Sequence, residues 1–309
     1  MAALIWIPLI LPLSLALVSS LRQRSSWTLW LPVSAAGVLL GVGVGLILAV
    51  GSDGPLTTGA GLLRVDALSA WMLTVVGAVA VVALWGGIPH RTGRSRNIGT
   101  FATLLCLFLA AMTLAVVADN IGLMWVAIEL TTITTAFLVG SRGGHGALEA
   151  AWKYVVLGSM GVAIAFLGIV LISAASRTSG EPSLSWVVLL AHAGGLDPSL
   201  VRAGAALAVL GFGTKAGLAP THSWLPDAHS QAPATVSGLM SGVLLSVAFY
   251  AILRVQAIAD AAVGPELMRG VLVTAGLLSL AVTAGLVITQ KDFKRLLAYS
   301  SIEHMGLLA

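Results

Sequence analysis

The sequence predicts an all-α polytopic membrane protein, on three observations. Of its 309 residues, 58% are apolar and only 9% charged, against roughly 45–50% and about 25% in soluble domains. Mean hydropathy is +1.01. Apolar residues come in unbroken runs of about 20, the length that crosses ~30 Å of hydrocarbon, not in the alternating segments of about ten that build a membrane barrel. A water-soluble fold is thereby excluded, and membrane lipid is the expected surroundings. The 16 basic and 12 acidic residues leave a net charge of +4, too dilute in such a chain for a nucleic-acid partner. Cys106 is the single cysteine, which excludes an intramolecular disulfide and any metal centre built from several cysteines; it reads as a small buried hydrophobe.

Nine spans follow in order: Ala2 to Leu21, Trp27 to Val50, Leu68 to Trp85, Ile98 to Ala118, Ile121 to Gly140, Ala150 to Ser173, Val201 to Ala219, Ala234 to Leu253 and Met268 to Thr289. The first has no cleavage-like site and leads straight into the second, so it is expected to be retained. A tenth run, from Leu296 to Ala309, has 14 residues and is too short to cross unaided; on that ground the chain is expected to be an incomplete frame or one piece of a split protein. The loop from Pro55 to Asp66 is expected to be irregular, and Leu184 to Gly194 to form an interfacial or re-entrant element.

Basic residues flanking spans stay preferentially in the cytoplasm. One set of alternate loops holds Arg22, Arg24, Arg91, Arg94, Arg96, Arg142, Lys153, Lys291, Lys294 and Arg295; the opposite set holds only Arg64, Arg177, Arg202, Arg254 and Arg269. The first set is placed inside and the N-terminus outside.

An ionisable residue near the bilayer centre costs at least ~2.5–3.5 kcal/mol and normally faces the bundle or water. Glu129 lies in WVAIELTTITTAFLVG, about 12 Å along the fifth span at ~1.5 Å per residue. Trp125 and Thr132 share its face, and Thr131, Thr134 and Thr135 add hydroxyls for water or neighbouring helices. Lys215 lies in LGFGTKAGLAPTHSWLPDAH of the seventh span. Pro220 removes a backbone donor and crowds the preceding turn, so this helix is expected to break over 216–220, and non-helical backbone at that depth requires protein or a wet cavity around it. A Lys facing a Glu in such a site is a group whose protonation depends on its neighbour's charge. The competing readings are a packing carboxylate at Glu129 and a Lys215 that snorkels to the inner surface.

Glu303 and His304, in LAYSSIEHMGLLA, are candidates for a shallower relay. His222, Asp227 and His229 fall within eight residues. Pro226 lies between the histidines and no fourth ligand is near, so no metal site is assigned; a cytoplasmic funnel or a plain cap for the broken helix is preferred. No phosphate loop, nucleotide fingerprint or nucleophile with its base occurs. No cofactor is expected on the chain, and any electron transfer belongs to partners.

WVAIEL, KAGLAPTHSWLPDAHSQAPATVSGLMSG and QKDFKRLLAYSSIEHMG resemble the successive signatures of the antiporter-like, proton-pumping membrane subunits of complex I, Mrp antiporters and membrane-bound hydrogenases. RVDALSAW at Arg64 to Trp71 is similar to the same family's N-terminal part, and THSWLPDAHSQAPA with SSIEHMG looks closest to the hydrogenase 4 and formate hydrogenlyase branch. The resemblance implies an antiporter-like bundle whose seventh helix is broken at Pro220 and whose C-terminal part is missing. It divides the chain into residues 1–97 with three helices, 98–266 as a first five-helix repeat, and 267–309 as the start of a second. It further implies that Glu129 and Lys215 are the proton-transfer pair, modulated by Lys153, with His222, His229, Glu303 and His304 as further candidates. Ser241 and Ser246 stand where many members carry a titratable residue, so the onward route would run through water or the histidines.

The function so implied is proton translocation by a membrane subunit of a redox-driven complex in the bacterial plasma membrane. Its partners would be other membrane subunits and a peripheral module with iron–sulfur or nickel–iron centres. A stand-alone or Mrp-type cation/proton antiporter and a non-pumping scaffold are the alternatives.

Overall fold

The computed structural model describes residues 2–23, 25–88, 97–180 and 182–309. Arg24, Arg91, Arg94 and Arg96, which entered the charge count, lie outside the described residues. Helix α1 (Ile7–Leu21) follows a 3-10 turn at Ala2–Ile5, and α2 (Trp30–Asp53) follows another at Ser26–Leu29. Strands β1 (Leu56–Thr58) and β2 (Leu63–Val65) then precede α3 (Ala67–Gly87), α4 (Ile98–Val117), α5 (Ile121–Gly140) and α6 (His145–Ala175). After the short α7 (Trp186–Ala191) come α8 (Pro198–Ala216), α9 (Trp224–Gln231), α10 (Ala234–Leu239), α11 (Leu245–Val263), α12 (Glu266–Val287) and α13 (Phe293–Leu308).

Among the described residues, seven helical stretches are long and apolar enough to cross a membrane: Ser26–Asp53, Ala67–Gly87, Ile98–Val117, Ile121–Gly140, His145–Thr178, Ala234–Val263 and Glu266–Val287. They match the second to sixth, eighth and ninth expected spans. The first shortens to the 15-residue α1, and the seventh, expected over Val201 to Ala219, is α8, which ends at Ala216 before the break that leads to α9. The tenth run forms α13 over 16 residues.

The loop before α3 is not irregular. β1 and β2 pair antiparallel, with Leu56 opposite Val65 and Thr58 opposite Leu63. Gly59, Ala60 and Gly61 all take positive φ to close the turn, and Leu63 and Val65 are buried. Strands of three residues are too short to show a period of two, which is why the pattern was missed. At Leu184 to Gly194 the chain forms α7 and a 3-10 turn at Ala193–Gly195.

Side-chain caps start the helices where the chain must turn. Asn120 accepts from the amides of Gly122 and Leu123 at 2.9 and 3.0 Å, and Asp197 from Ser199 and Leu200 at 2.8 and 3.1 Å. α8 ends on Gly217, whose φ of +78° is the left-handed cap a glycine takes without strain, and the amide of Leu218 closes back on the carbonyl of Gly213 at 2.8 Å. The Ala219–Pro220 peptide is cis. The amide of Ala219 donates to Ser279 Oγ of α12 at 2.9 Å, and Trp224 Nε1 of α9 donates to the carbonyl of Thr214 at 2.7 Å. The backbone freed by the break is therefore satisfied inside the protein, as membrane depth demands.

Candidate functional site

α6 and α8 lie close enough to place small groups in direct contact. A Cβ on Gly161 would come within 2.5 Å of Thr214 Cβ, and one on Gly211 within 2.3 Å of the Ala165 amide nitrogen. Small residues at such a contact let van der Waals packing draw two helices together in lipid. Lys215 is thus carried into the bundle and not out to lipid. It sits in the last turn of α8, where the helix dipole favours a cation, and it is fully buried.

Three groups surround its ammonium. Nζ donates to the Tyr154 hydroxyl at 2.6 Å, and it stands 4.2 Å from the Tyr154 ring centroid and 5.7 Å from that of Trp224. The two rings meet edge to face at 5.0 Å. Two electron-rich ring faces stabilise a desolvated cation. The snorkelling alternative does not describe this side chain, because α9 folds beneath it through Trp224, which is itself fully buried.

Glu129 enters the same space from α5. Its carboxylate accepts from Thr132 Oγ1 at 3.2 Å and from Ser159 Oγ of α6 at 2.6 Å. Ser159 adjoins Gly158, and a methyl group placed on Gly158 would stand 3.6 Å from Lys215 Nζ and 3.5 Å from Thr132 Cγ2. Glu129 and Lys215 are therefore neighbours across the α5–α6–α8 junction, each with its own hydroxyl partner and not in direct contact. Trp125, one turn before Glu129, also reaches α6, donating to the Val162 carbonyl at 2.6 Å. Thr131 and Thr134 bond back to their own helix, at 2.6 Å to Ile128 and 3.0 Å to Leu130. Thr132 and Thr135 flank the Tyr154 hydroxyl.

The other expected residues lie apart from this pair. Lys153 is half-exposed at the start of α6, paired with Glu149 at 2.7 Å and Asp227 at 3.1 Å. Arg295 of α13 holds the second Asp227 oxygen at 2.5 Å. Lys294 donates to the carbonyls of Ser230 and Ala232 at the end of α9. His229 is buried on α9 and His222 is partly buried between Pro220 and α9; His229 Nε2 and His222 Nδ1 are buried without a hydrogen-bond partner among the described residues. Glu303 and His304 are exposed on α13, with His304 Nδ1 2.6 Å from the Ser300 carbonyl. In the eighth span, a π-helical turn at Met240–Leu244 joins α10 to α11. Ser241 meets Ser301 of α13 at 2.7 Å.

Sequence reasoning missed Tyr154, Trp224 and Ser159. Tyr154 carried a usable signal, since a phenol in an apolar span needs a partner for its hydroxyl. The partners of Trp224 and Ser159 exist only once the broken helix is folded. RVDALSAW also gains a structural place at the opposite end of the bundle: Asp66 pairs with both Arg254 terminal nitrogens at 2.7 Å.

A model of the family described as NADH:quinone oxidoreductase/Mrp antiporter, transmembrane, matches residues 118–309. The hydrogenase-4 component F homolog of Methylacidiphilum infernorum is 46% identical over 206 residues, covering 65% of this chain and 43% of that protein. NADH-quinone oxidoreductase subunit N of Deinococcus radiodurans is 30% identical over 318 residues, covering 98% of this chain and 62% of that one. The chain thus spans about half the length of these curated relatives. Among solved structures, a chain of the membrane-bound sulfane sulfur reductase, an archaeal respiratory membrane complex, superposes with a TM-score of 0.87 at 25% identity over 99% of this chain and 63% of its own. With its broken helix, its buried ammonium and this match to well over half its length, the chain belongs to the NADH:quinone oxidoreductase/Mrp antiporter transmembrane family.

Proposed function

We propose that the chain is a proton-translocating membrane subunit of a redox-driven complex of the hydrogenase 4 or NADH–quinone oxidoreductase kind. Other membrane subunits, and a peripheral module carrying iron–sulfur or nickel–iron centres, would perform the electron transfer in the bacterial plasma membrane. The observation that carries this reading is the fully buried Lys215 ammonium at the helix break, held by Tyr154 and set across a hydroxyl-lined junction from Glu129. A charge in so dry a place binds or releases its proton according to the fields around it. A change in the charge or distance of Glu129 alters how tightly Lys215 holds its proton, and Tyr154 is the first hydroxyl through which that proton passes. His222 and His229 line the path from the Lys153 end, and the Ser241–Ser301 contact leads onward through groups that order water but do not titrate.

The test is proton uptake by the assembled complex carrying Lys215→Ala or Glu129→Gln. Lys215→Ala should abolish coupled uptake and Glu129→Gln should slow it about tenfold while redox turnover in the partner module continues uncoupled. Undiminished uptake in both variants would defeat the assignment.

A further inference from the structure

Both walls of the Lys215 enclosure are borne by segments that one partly buried carboxylate ties down. Asp227 is on α9, three residues after Trp224, and its two oxygens go to different helices: Oδ2 to Lys153 of α6 at 3.1 Å, Oδ1 to Arg295 of α13 at 2.5 Å. Lys153 immediately precedes Tyr154, the other wall. These groups line a cleft of about 250 Å³ with Gly146, Glu149 and Gln231 at the Lys153 end of the bundle. α9 has eight residues and is connected to α8 through the non-helical stretch around Pro220. A helix this short is not rigidly set by its own hydrogen bonds, so its placement depends on what it packs against and what anchors it.

We infer that Asp227 is a positioning residue that fixes the Trp224 and Tyr154 walls around Lys215 and conveys the position of α13 to that ammonium through Arg295. This rests on the proton-transfer reading of Lys215. With the carboxylate in place, α9 holds the Trp224 indole against the Thr214 carbonyl at 2.7 Å and its ring edge to face with Tyr154 at 5.0 Å. With α13 displaced, Arg295 withdraws, the anchor is halved, and the Trp224 wall loosens. The ammonium then meets a different environment although no group touching it has changed chemically.

The test compares proton uptake against pH in the assembled complex for Asp227→Asn, Trp224→Phe and the double variant, with Asp227→Glu as the conservative control. Asp227→Asn should slow uptake about tenfold and move the pH midpoint by at least half a pH unit, in the same direction as Trp224→Phe. The double variant should be no slower than the worse single one, and Asp227→Glu should keep at least half the rate. Arg295→Gln, which leaves the Lys153 contact intact, should slow uptake about threefold and serves as the reporter if Asp227→Asn prevents assembly. An unmoved midpoint, or effects of Asp227→Asn and Trp224→Phe that multiply, would overturn the inference, because Asp227 would then act independently of the enclosure. Lys215→Ala is run alongside. Undiminished uptake there defeats the proton-transfer reading itself, whereas loss in Lys215→Ala with normal uptake in Asp227→Asn defeats the role of Asp227 alone.

Discussion

Tyr154 does two jobs for one ammonium: its ring face lies 4.2 Å from Lys215 Nζ and its hydroxyl accepts the hydrogen bond. Tyr154→Phe separates them, because the phenyl ring keeps both the cation contact and the edge contact with Trp224. A hydrogen bond to a charged group contributes about 1.5–3 kcal/mol, and here its loss leaves a fully buried charge without a polar partner. The variant should lose about 2 kcal/mol of stability, read as a lowered thermal midpoint in detergent, and should slow proton uptake about tenfold. A variant as stable as the parent would mean that the hydroxyl is replaced by water. Glu129, Lys215 and the proline that breaks the helix were legible in the sequence, because a charge inside an apolar run and a proline beyond it are local anomalies. The groups that hold them were not. Ser159 lies 30 residues from Glu129 in the chain, and Tyr154 lies 61 from Lys215; ordinary residue types at such separations acquire meaning only when α5, α6 and α8 are packed.

Elements inherit their placement from a few polar contacts at each end of the bundle. Asp66 caps α3 through the Ser69 amide at 2.9 Å and grips Arg254 of α11, while the Arg254 guanidinium lies 4.1 Å from the Trp186 ring of α7. Burial by itself would raise the Asp66 carboxyl, but the hydrogen bonds and charge of Arg254, with the Ser69 bonds, hold it down to about 2 from the ordinary 3.8. A folded value below the unfolded one stabilises the protein above the unfolded value, and that stability is lost as pH falls through about 2. The clamp is therefore fully present at neutral pH, contributes about 2 kcal/mol there, and should fade from about pH 4 downward. Asp66→Asn should lower the thermal midpoint at pH 7 and shrink the difference between pH 7 and pH 3; an equal pH dependence in both proteins would show that another carboxylate dominates. The sequence yielded the long spans because hydrophobic length is a strong signal. It yielded neither the β1–β2 hairpin nor the π-helical turn at Met240–Leu244, since elements of three to five residues carry too little pattern to be read.

At the scale of the whole molecule, the two polar ends differ in composition, and that difference bears on which way the bundle faces. One end carries Arg22, Arg142, Lys153, Lys291, Lys294 and Arg295 among the described residues, with the cleft around Asp227; the other carries Arg64, Arg177, Arg202 and Arg269 with the Asp66–Arg254 pair. On the sequence's ten-to-five bias of basic residues toward one set of loops, we propose that the first end is cytoplasmic; protons would then enter past His229 and Asp227 and reach Lys215 from within. Orientation can be read directly, because Cys106 is fully buried in α4 and leaves the background silent to thiol reagents. Ser52→Cys, at the exposed end of α2, should react with a membrane-impermeant maleimide in intact cells, and Ser141→Cys, at the exposed end of α5, only after permeabilisation. Both replacements are nearly isosteric, and neither position touches the Glu129–Lys215 junction. The reverse labelling pattern would put the Asp227 cleft outside and turn it from the mouth of the path into its exit, with Asp227 and Arg295 then controlling release instead of uptake.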